Sequence, residues 1–163
     1  MEELVLNNRR LKLVDGEIYI WQAHKKVPVW HKFKPTIEKK DGYWLMSVCS
    51  KGKKRQFKWH RVLYKFHNRD WDIMDSSYDN QIDHIDLNKA NNVIENLRIA
   101  NASENQQNRN DVKGYYYNKG SKYWRSYITI NRYRHHLGNF QTEAEAIEAR
   151  RVAQEELYTH NPL

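Results

Sequence analysis

The sequence predicts an α+β fold built from small modules: a strand-rich N-terminal region with a β-hairpin, a compact central segment, and a three-stranded antiparallel sheet packed on one helix. Three observations predict it. Apolar and polar residues alternate from Tyr123 to Asn131, the period of a half-buried strand. Ala146, Ala149, Ala153 and Leu157 recur at helical spacing behind a Thr142/Glu145 capping box. Finally, only 39% of the 163 residues are hydrophobic and the mean hydropathy is −1.01, so no single large core is expected.

The elements follow in chain order. Residues 1–80 are strand-like and rich in aromatics. Gly42–Cys49 and Lys54–Lys58 are short β runs flanking Ser50-Lys51-Gly52-Lys53, a hairpin signal in which Gly supplies a positive-φ position. Trp59–His67 reads as a helix with Val62, Leu63 and Phe66 on one face. Residues 1–40 receive no role of their own.

Residues 81–110 are dense in Asn, Asp and Gln, the composition of a loop. Yet Ile82, Ile85, Leu87, Val93, Ile94, Leu97 and Ile99 recur through them, which a solvated linker does not need. The reading is a short strand at Ile82–His84, a turn loop at Asp86–Asn92 and a helix at Ala102–Asn108, with Asn101 and Ser103 both suited to cap it.

In the last third a first strand lies near Tyr115–Tyr117, a second runs from Tyr123 to Asn131, and a third from Arg132 to Leu137 is ended by Gly138. On the second strand Trp124, Ser126, Ile128 and Ile130 face one way, and Arg125, Tyr127 and Thr129 the other. The alanine face of the final helix, flanked by Ile147 and Val152, is predicted to pack on this sheet. The domain boundaries expected are 1–53, 54–112 and 113–163.

Charge and cysteine content restrict the function. Lys and Arg number 28 against 20 acids, for a net charge of +8. Such a surface favours a polyanionic partner and binds phosphate with little regard to sequence. Cys49 is the only cysteine, which rules out an intrachain disulfide and a multi-cysteine zinc site and fits a reducing cytoplasm. MEELVLNNRR lacks the apolar run of a signal peptide, and no stretch is long enough to cross a membrane.

Hydrolysis of a phosphodiester needs a water nucleophile, a base to activate it, and a cation facing the charge that builds on phosphate and leaving oxygen. Asp83 and His84 are adjacent: a hard oxygen ligand beside a group that takes a proton near neutral pH. On a strand their side chains point to opposite sides, so sharing one site requires a bend or a helix contributing from below. Singly, a strand histidine or a loop asparagine such as Asn96 is more simply a surface residue or a cap. Their joint occurrence with an apolar frame carries the signal.

HRVLYKFHN followed by IDHIDLNKANNVIENLRIANASENQQNR resembles the HNH endonuclease family of phages and mobile introns, over residues 54–110. The resemblance implies a ββα-metal core cleaving DNA with Mg²⁺, or Mn²⁺ in its place, to leave 5′-phosphate and 3′-hydroxyl ends. It makes His84 the general base and Asp83 a metal ligand. Asn96, in Glu95-Asn96-Leu97, would hold the His84 ring through its second nitrogen. Asn105 would be the second metal ligand, favoured over Asn108 on spacing. The last position is Asn where the name-giving pattern has His, a variation found in a branch of the family. His60 is read mainly as packing, and Arg61 either as a transition-state or DNA contact or as an ordinary surface residue. One such site cuts one strand, so a monomer nicks. A homing-type, phage-encoded enzyme acting on double-stranded DNA in a bacterial cytoplasm is implied.

GYYYNKGSKYWRSYITINRYRHHLGNFQTEAEAIEARRVAQEEL resembles the APETALA-type (ethylene-response-factor-like) DNA-binding domain, over residues 113–158. That family lays its sheet in the major groove. By position, Tyr116, Arg125, Tyr127, Thr129, Arg132, Arg134 and His136 would face DNA, with Trp124, Ile128, Leu137 and Phe140 in the core. Arg suits bidentate contact with guanine, and Thr or Tyr suits contact with base or phosphate. Lys51, Lys53, Lys54, Arg55 and Lys58 make the N-terminal hairpin basic, with Lys54 and Arg55 as DNA contacts. Two rival functions stand beside this one: a non-catalytic DNA-binding regulator that keeps a nuclease fold, and a nuclease acting on RNA or branched DNA.

Overall fold

Two-residue turns with positive φ at both positions recur along the chain: Asn7-Asn8, Asp15-Gly16, Lys51-Gly52 and Asn131-Arg132. Turns of this kind match the right-handed twist of the strands they join, so each closes a tight antiparallel hairpin. The computed structural model describes residues 2–109 and 112–160. It divides into two compact units, Met1–Ser76 with Asn88–Arg98, and Ser77–Leu87 with Ile99–Leu163.

The first unit opens with a four-stranded antiparallel meander, β1 (Glu2–Leu6), β2 (Arg9–Val14), β3 (Glu17–Gln22) and β4 (Val29–Lys32). Leu6, Leu11 and Ile18 are its buried residues. Three further strands, β5 (Thr36–Ile37), β6 (Trp44–Ser50) and β7 (Lys53–Lys58), form a second antiparallel sheet. The expected hairpin is therefore present, its strand pair closed at Ser50↔Lys53. Helix α1 follows without a break over Trp59–His67 and buries Trp59, Val62, Leu63 and Phe66, including the three positions read from periodicity. Met46, Val48 and Phe57 complete this core.

In the second unit β8 (Gln81–His84) pairs in a two-stranded sheet with β9 (Leu97–Ala100), whose first residues belong to the first unit. The sequence reading had no strand at β9. Four residues with a burial pattern of ends in, middle out show neither period clearly. Helix α2 spans Ala102–Gln107. Asn101 caps it by accepting from the backbone N–H groups of Ser103 and Glu104, and Glu104 returns a bond to the Asn101 N–H.

The C-terminal sheet has the expected order, β10 (Tyr115–Asn118), β11 (Tyr123–Ile130) and β12 (Tyr133–Phe140), all antiparallel. Helix α3 (Glu143–Leu157) packs on it behind the Thr142/Glu145 capping box. Two details differ from expectation. Gly138 does not end β12. The register shifts between Ser126 and Tyr127, leaving Leu137 as an extra residue, and Gly138, at φ 149°, lets the strand continue through the bulge. A side chain there would meet the Phe140 ring at 2.9 Å. The buried face of α3 also runs through Ala146, Arg150 and Ala153, while Ile147, Val152 and Leu157 are exposed. Arg150 belongs inside because its guanidinium donates to the carbonyls of Tyr127 (2.8 Å) and Val112 (3.1 Å). Ile128 is fully buried, and Trp124, Leu137 and Phe140 are half-buried. No helix among the described residues is long and apolar enough to cross a membrane.

Candidate functional site

The polar centre of the second unit is built from β8 and the C-terminal end of α2. β8 buries Ile82, Asp83 and His84 in succession, with Asp83 5% and His84 4% exposed. Three consecutive buried residues are not the alternation of a one-faced strand. β8 is followed by a turn in which the Leu87 N–H donates to the His84 carbonyl and Leu87 itself has a φ of 63°. A buried carboxylate requires hydrogen-bond donors.

Asn108, the C-cap residue of α2, supplies one. Its Nδ2 donates to Asp83 Oδ2 at 2.9 Å and to the His84 carbonyl at 2.7 Å. Asn108 is 1% exposed, and its other amide atom, Oδ1, is buried with no hydrogen-bond partner among the described residues. A buried acceptor without a partner is uncommon and costs free energy, so it calls for an explanation. Asn105, favoured on spacing, lies elsewhere: its Nδ2 donates to Gln81 Oε1 at 2.8 Å. The structure thus brings Asn108, not Asn105, to Asp83. The reason is helical geometry. The two are three positions apart, and α2 ends between them, so Asn108 turns toward the β8 carboxylate from the cap position.

The donor set is chemically coherent. Among the described residues no three His, Cys, Asp or Glu side chains cluster as a metal cage. A carboxylate and an amide oxygen are hard donors that suit Mg²⁺, which keeps several waters and completes its shell with substrate phosphate. Asp83 and the Asn108 amide oxygen are donors of that class.

Asn96 lies in the first unit, in a 3₁₀ turn at Ile94–Asn96, and is 8% exposed. Its Nδ2 donates to the Asn91 carbonyl at 2.7 Å, closing the preceding loop. His60 is 3% exposed and its ring lies 5.1 Å from that of Tyr43, in keeping with a packing role. Arg61 is occupied locally. Its Nη2 donates to the carbonyls of Ile73 and Asp75, and its guanidinium lies 4.6 Å from the centre of the Trp71 ring. Burial pushes its pKa down, against the pull of Asp75 and Asp72. These bonds pin the irregular segment that follows α1.

Residues 57–107 match the HNH endonuclease family model. The HNH match covers α1, β8, β9 and all of α2, and stops one residue short of Asn108. No curated protein and no solved structure gives a significant match to the chain. The HNH segment points to nuclease activity on DNA.

A second set of expected residues lies on the C-terminal sheet. Directly opposed residues of an antiparallel ladder share a face. The pairs Tyr116↔Arg125, Tyr127↔His136 and Thr129↔Arg134 therefore put six of the seven on one side. Ser126 and Ile128, fully buried, lie on the other side. The Arg134 guanidinium sits 4.1 Å from the centre of the Tyr127 ring, and Tyr116 and Tyr127 meet edge to face. Arg125 Nε is buried without a partner among the described residues. Arg132 is apart from this face: it occupies the positive-φ turn and packs at 4.6 Å over the Tyr78 ring. Lys54 and Arg55 are exposed on β7. Arg150, which no sequence pattern marked, anchors this sheet from behind.

Proposed function

We propose that the chain is a divalent-metal-dependent HNH endonuclease that cuts one strand of duplex DNA, guided by its C-terminal sheet. The observation that carries the reading is the buried Asp83–Asn108 pair with its unsatisfied amide oxygen, inside and bordering the HNH segment. In this reading Asp83 and Asn108 hold the ion, and Asn105 passes its earlier assignment to Asn108. When bound, the ion supplies charge against the scissile phosphate and the departing 3′ oxygen. His84 takes the proton from the attacking water. Asn96 holds the His84 ring in the orientation that does so.

The C-terminal sheet presents Tyr116, Arg125, Tyr127, Thr129, Arg134 and His136 to the major groove, as in the APETALA-type domain it resembles. Lys54 and Arg55 contact backbone phosphate. Arg132 contributes through the turn it stabilises, and Arg61 through the segment it pins. A site preference of the homing type and action as a monomer complete the proposal.

A plasmid nicking assay tests it. Purified protein with Mg²⁺ is expected to convert supercoiled to open-circular DNA, and His84→Ala is expected to slow this by about 10²–10⁴-fold. Tight duplex binding with no Mg²⁺-dependent cleavage by the wild type would instead establish the non-catalytic regulator.

A further inference from the structure

Helix α2 has six residues. Isolated helices below about 12–15 residues are marginal in water, so its position depends on what grips it. Two of its side chains are buried polar groups with long-range partners, Ser103 at 6% and Gln107 at 5% exposure. Gln107 Oε1 accepts from the Thr159 N–H (2.9 Å), the Thr159 hydroxyl (3.3 Å) and the His160 N–H (3.2 Å). Ser103 Oγ accepts from the Asn131 N–H at 2.9 Å, in the β11–β12 turn. The helix that ends at Asn108 is thus held at both ends by the C-terminal module, once by its hairpin turn and once by the segment that follows α3.

We infer that Gln107 is a positioning residue, and that the Thr159–His160 segment is a strap that holds Asn108 against Asp83 through it. The inference rests on the nuclease reading for its purpose but not for its geometry. Gln107 precedes Asn108 directly, so a shift of the last turn of α2 moves the Asn108 amide away from Asp83 Oδ2 and the His84 carbonyl. The same contacts tie the segment that faces the ion to the module that faces DNA. Outer partners of metal ligands act in this way, and their loss typically costs about 10–100-fold in metal affinity.

The test compares full-length wild type, Gln107→Ala, Gln107→Glu and a chain ending at Leu157. Solvent exchange of the Asn108 side-chain amide protons is followed by NMR, with and without Mg²⁺ alone. Gln107→Ala and the shortened chain are expected to lose Asn108 amide protection. Both are also expected to need about tenfold more Mg²⁺ to shift its resonance. Duplex affinity without Mg²⁺ should stay at the wild-type level. Gln107→Glu keeps an acceptor oxygen and is expected to restore protection. Wild-type protection in both Gln107→Ala and the shortened chain overturns the inference, as does a loss in Gln107→Glu equal to that in Gln107→Ala. If protection falls as expected but Mg²⁺ shifts no resonance even in the wild type, the positioning stands and the metal-dependent nuclease reading fails.

Discussion

A carboxylate as buried as Asp83 needs neighbours that replace the water it has lost. Asn108 does so with one N–H while leaving its own oxygen unmatched, an arrangement that stability alone does not favour. In the proposed function this asymmetry is what favours Asn108 over Asn105, the residue favoured on spacing. Asn108→Ala is expected to abolish Mg²⁺-dependent nicking, by more than about a hundredfold, since charge stabilisation of that kind is worth several kcal/mol. Asn105→Ala removes only the bond to Gln81, about 1 kcal/mol of stability, and should leave the rate within the same assay nearly unchanged. Equal losses in the two variants would return the assignment to Asn105. Arg61 is judged by a different readout. Its two carbonyl bonds imply that Arg61→Ala lowers stability by about 2–4 kcal/mol in a urea titration. A variant of full stability that loses only DNA affinity would make Arg61 a phosphate contact instead.

At the level of elements, short pieces are held by caps and turns rather than by length. The Asn101/Glu104 box is as important to α2 as its packing, and Asn101→Ala is expected to cost about 1 kcal/mol, measured as a lower thermal unfolding midpoint. Gly114 is a second such point. Its φ is 69°, and an added side-chain carbon would sit 1.9 Å from Arg150 Nη1, the atom bonded to the Tyr127 carbonyl. Gly114→Ala is expected to destabilise the C-terminal sheet by about 1–3 kcal/mol, with faster hydrogen exchange at the Tyr127 N–H, which donates to the Gly114 carbonyl. The bulge at Leu137 has a functional consequence. The extra residue keeps Asn139 and His136 on the same face as Arg125 and Tyr127, so the outward face continues across the irregularity.

Across the whole molecule, the proposed function assigns the strength of polyanion binding to the excess of cations and the sequence preference to the sheet face. Replacing Lys54 and Arg55 together by Ala is expected to weaken binding alike for all duplexes and to reduce the slope of log K against log salt by about two, one per lost phosphate contact. Arg125→Ala or Arg134→Ala is expected instead to relax discrimination at one base position, by about 1–3 kcal/mol. A uniform loss across sequences in these two variants would reassign the sheet arginines to the backbone.

The sequence alone determined the elements whose signals are local. The period-2 run at Tyr123–Asn131, the Thr142/Glu145 box, the Lys51-Gly52 turn and the apolar face of α1 are each decided by residues within one or two turns of each other. It also set Asp83 and His84 side by side, and both are buried on β8. Tertiary structure decided what depends on distant partners. β9 exists by pairing with β8, Gly138 serves a bulge defined by its neighbour strand, and Arg150 is buried by carbonyls 23 and 38 residues away. That Asn108 and not Asn105 hydrogen-bonds Asp83 is of the same kind, since both lie at the end of one short helix and only the packing of that helix on β8 says which amide reaches the carboxylate. Backbone preference acts over a few residues, whereas a buried polar atom is satisfied by whatever the fold brings to it.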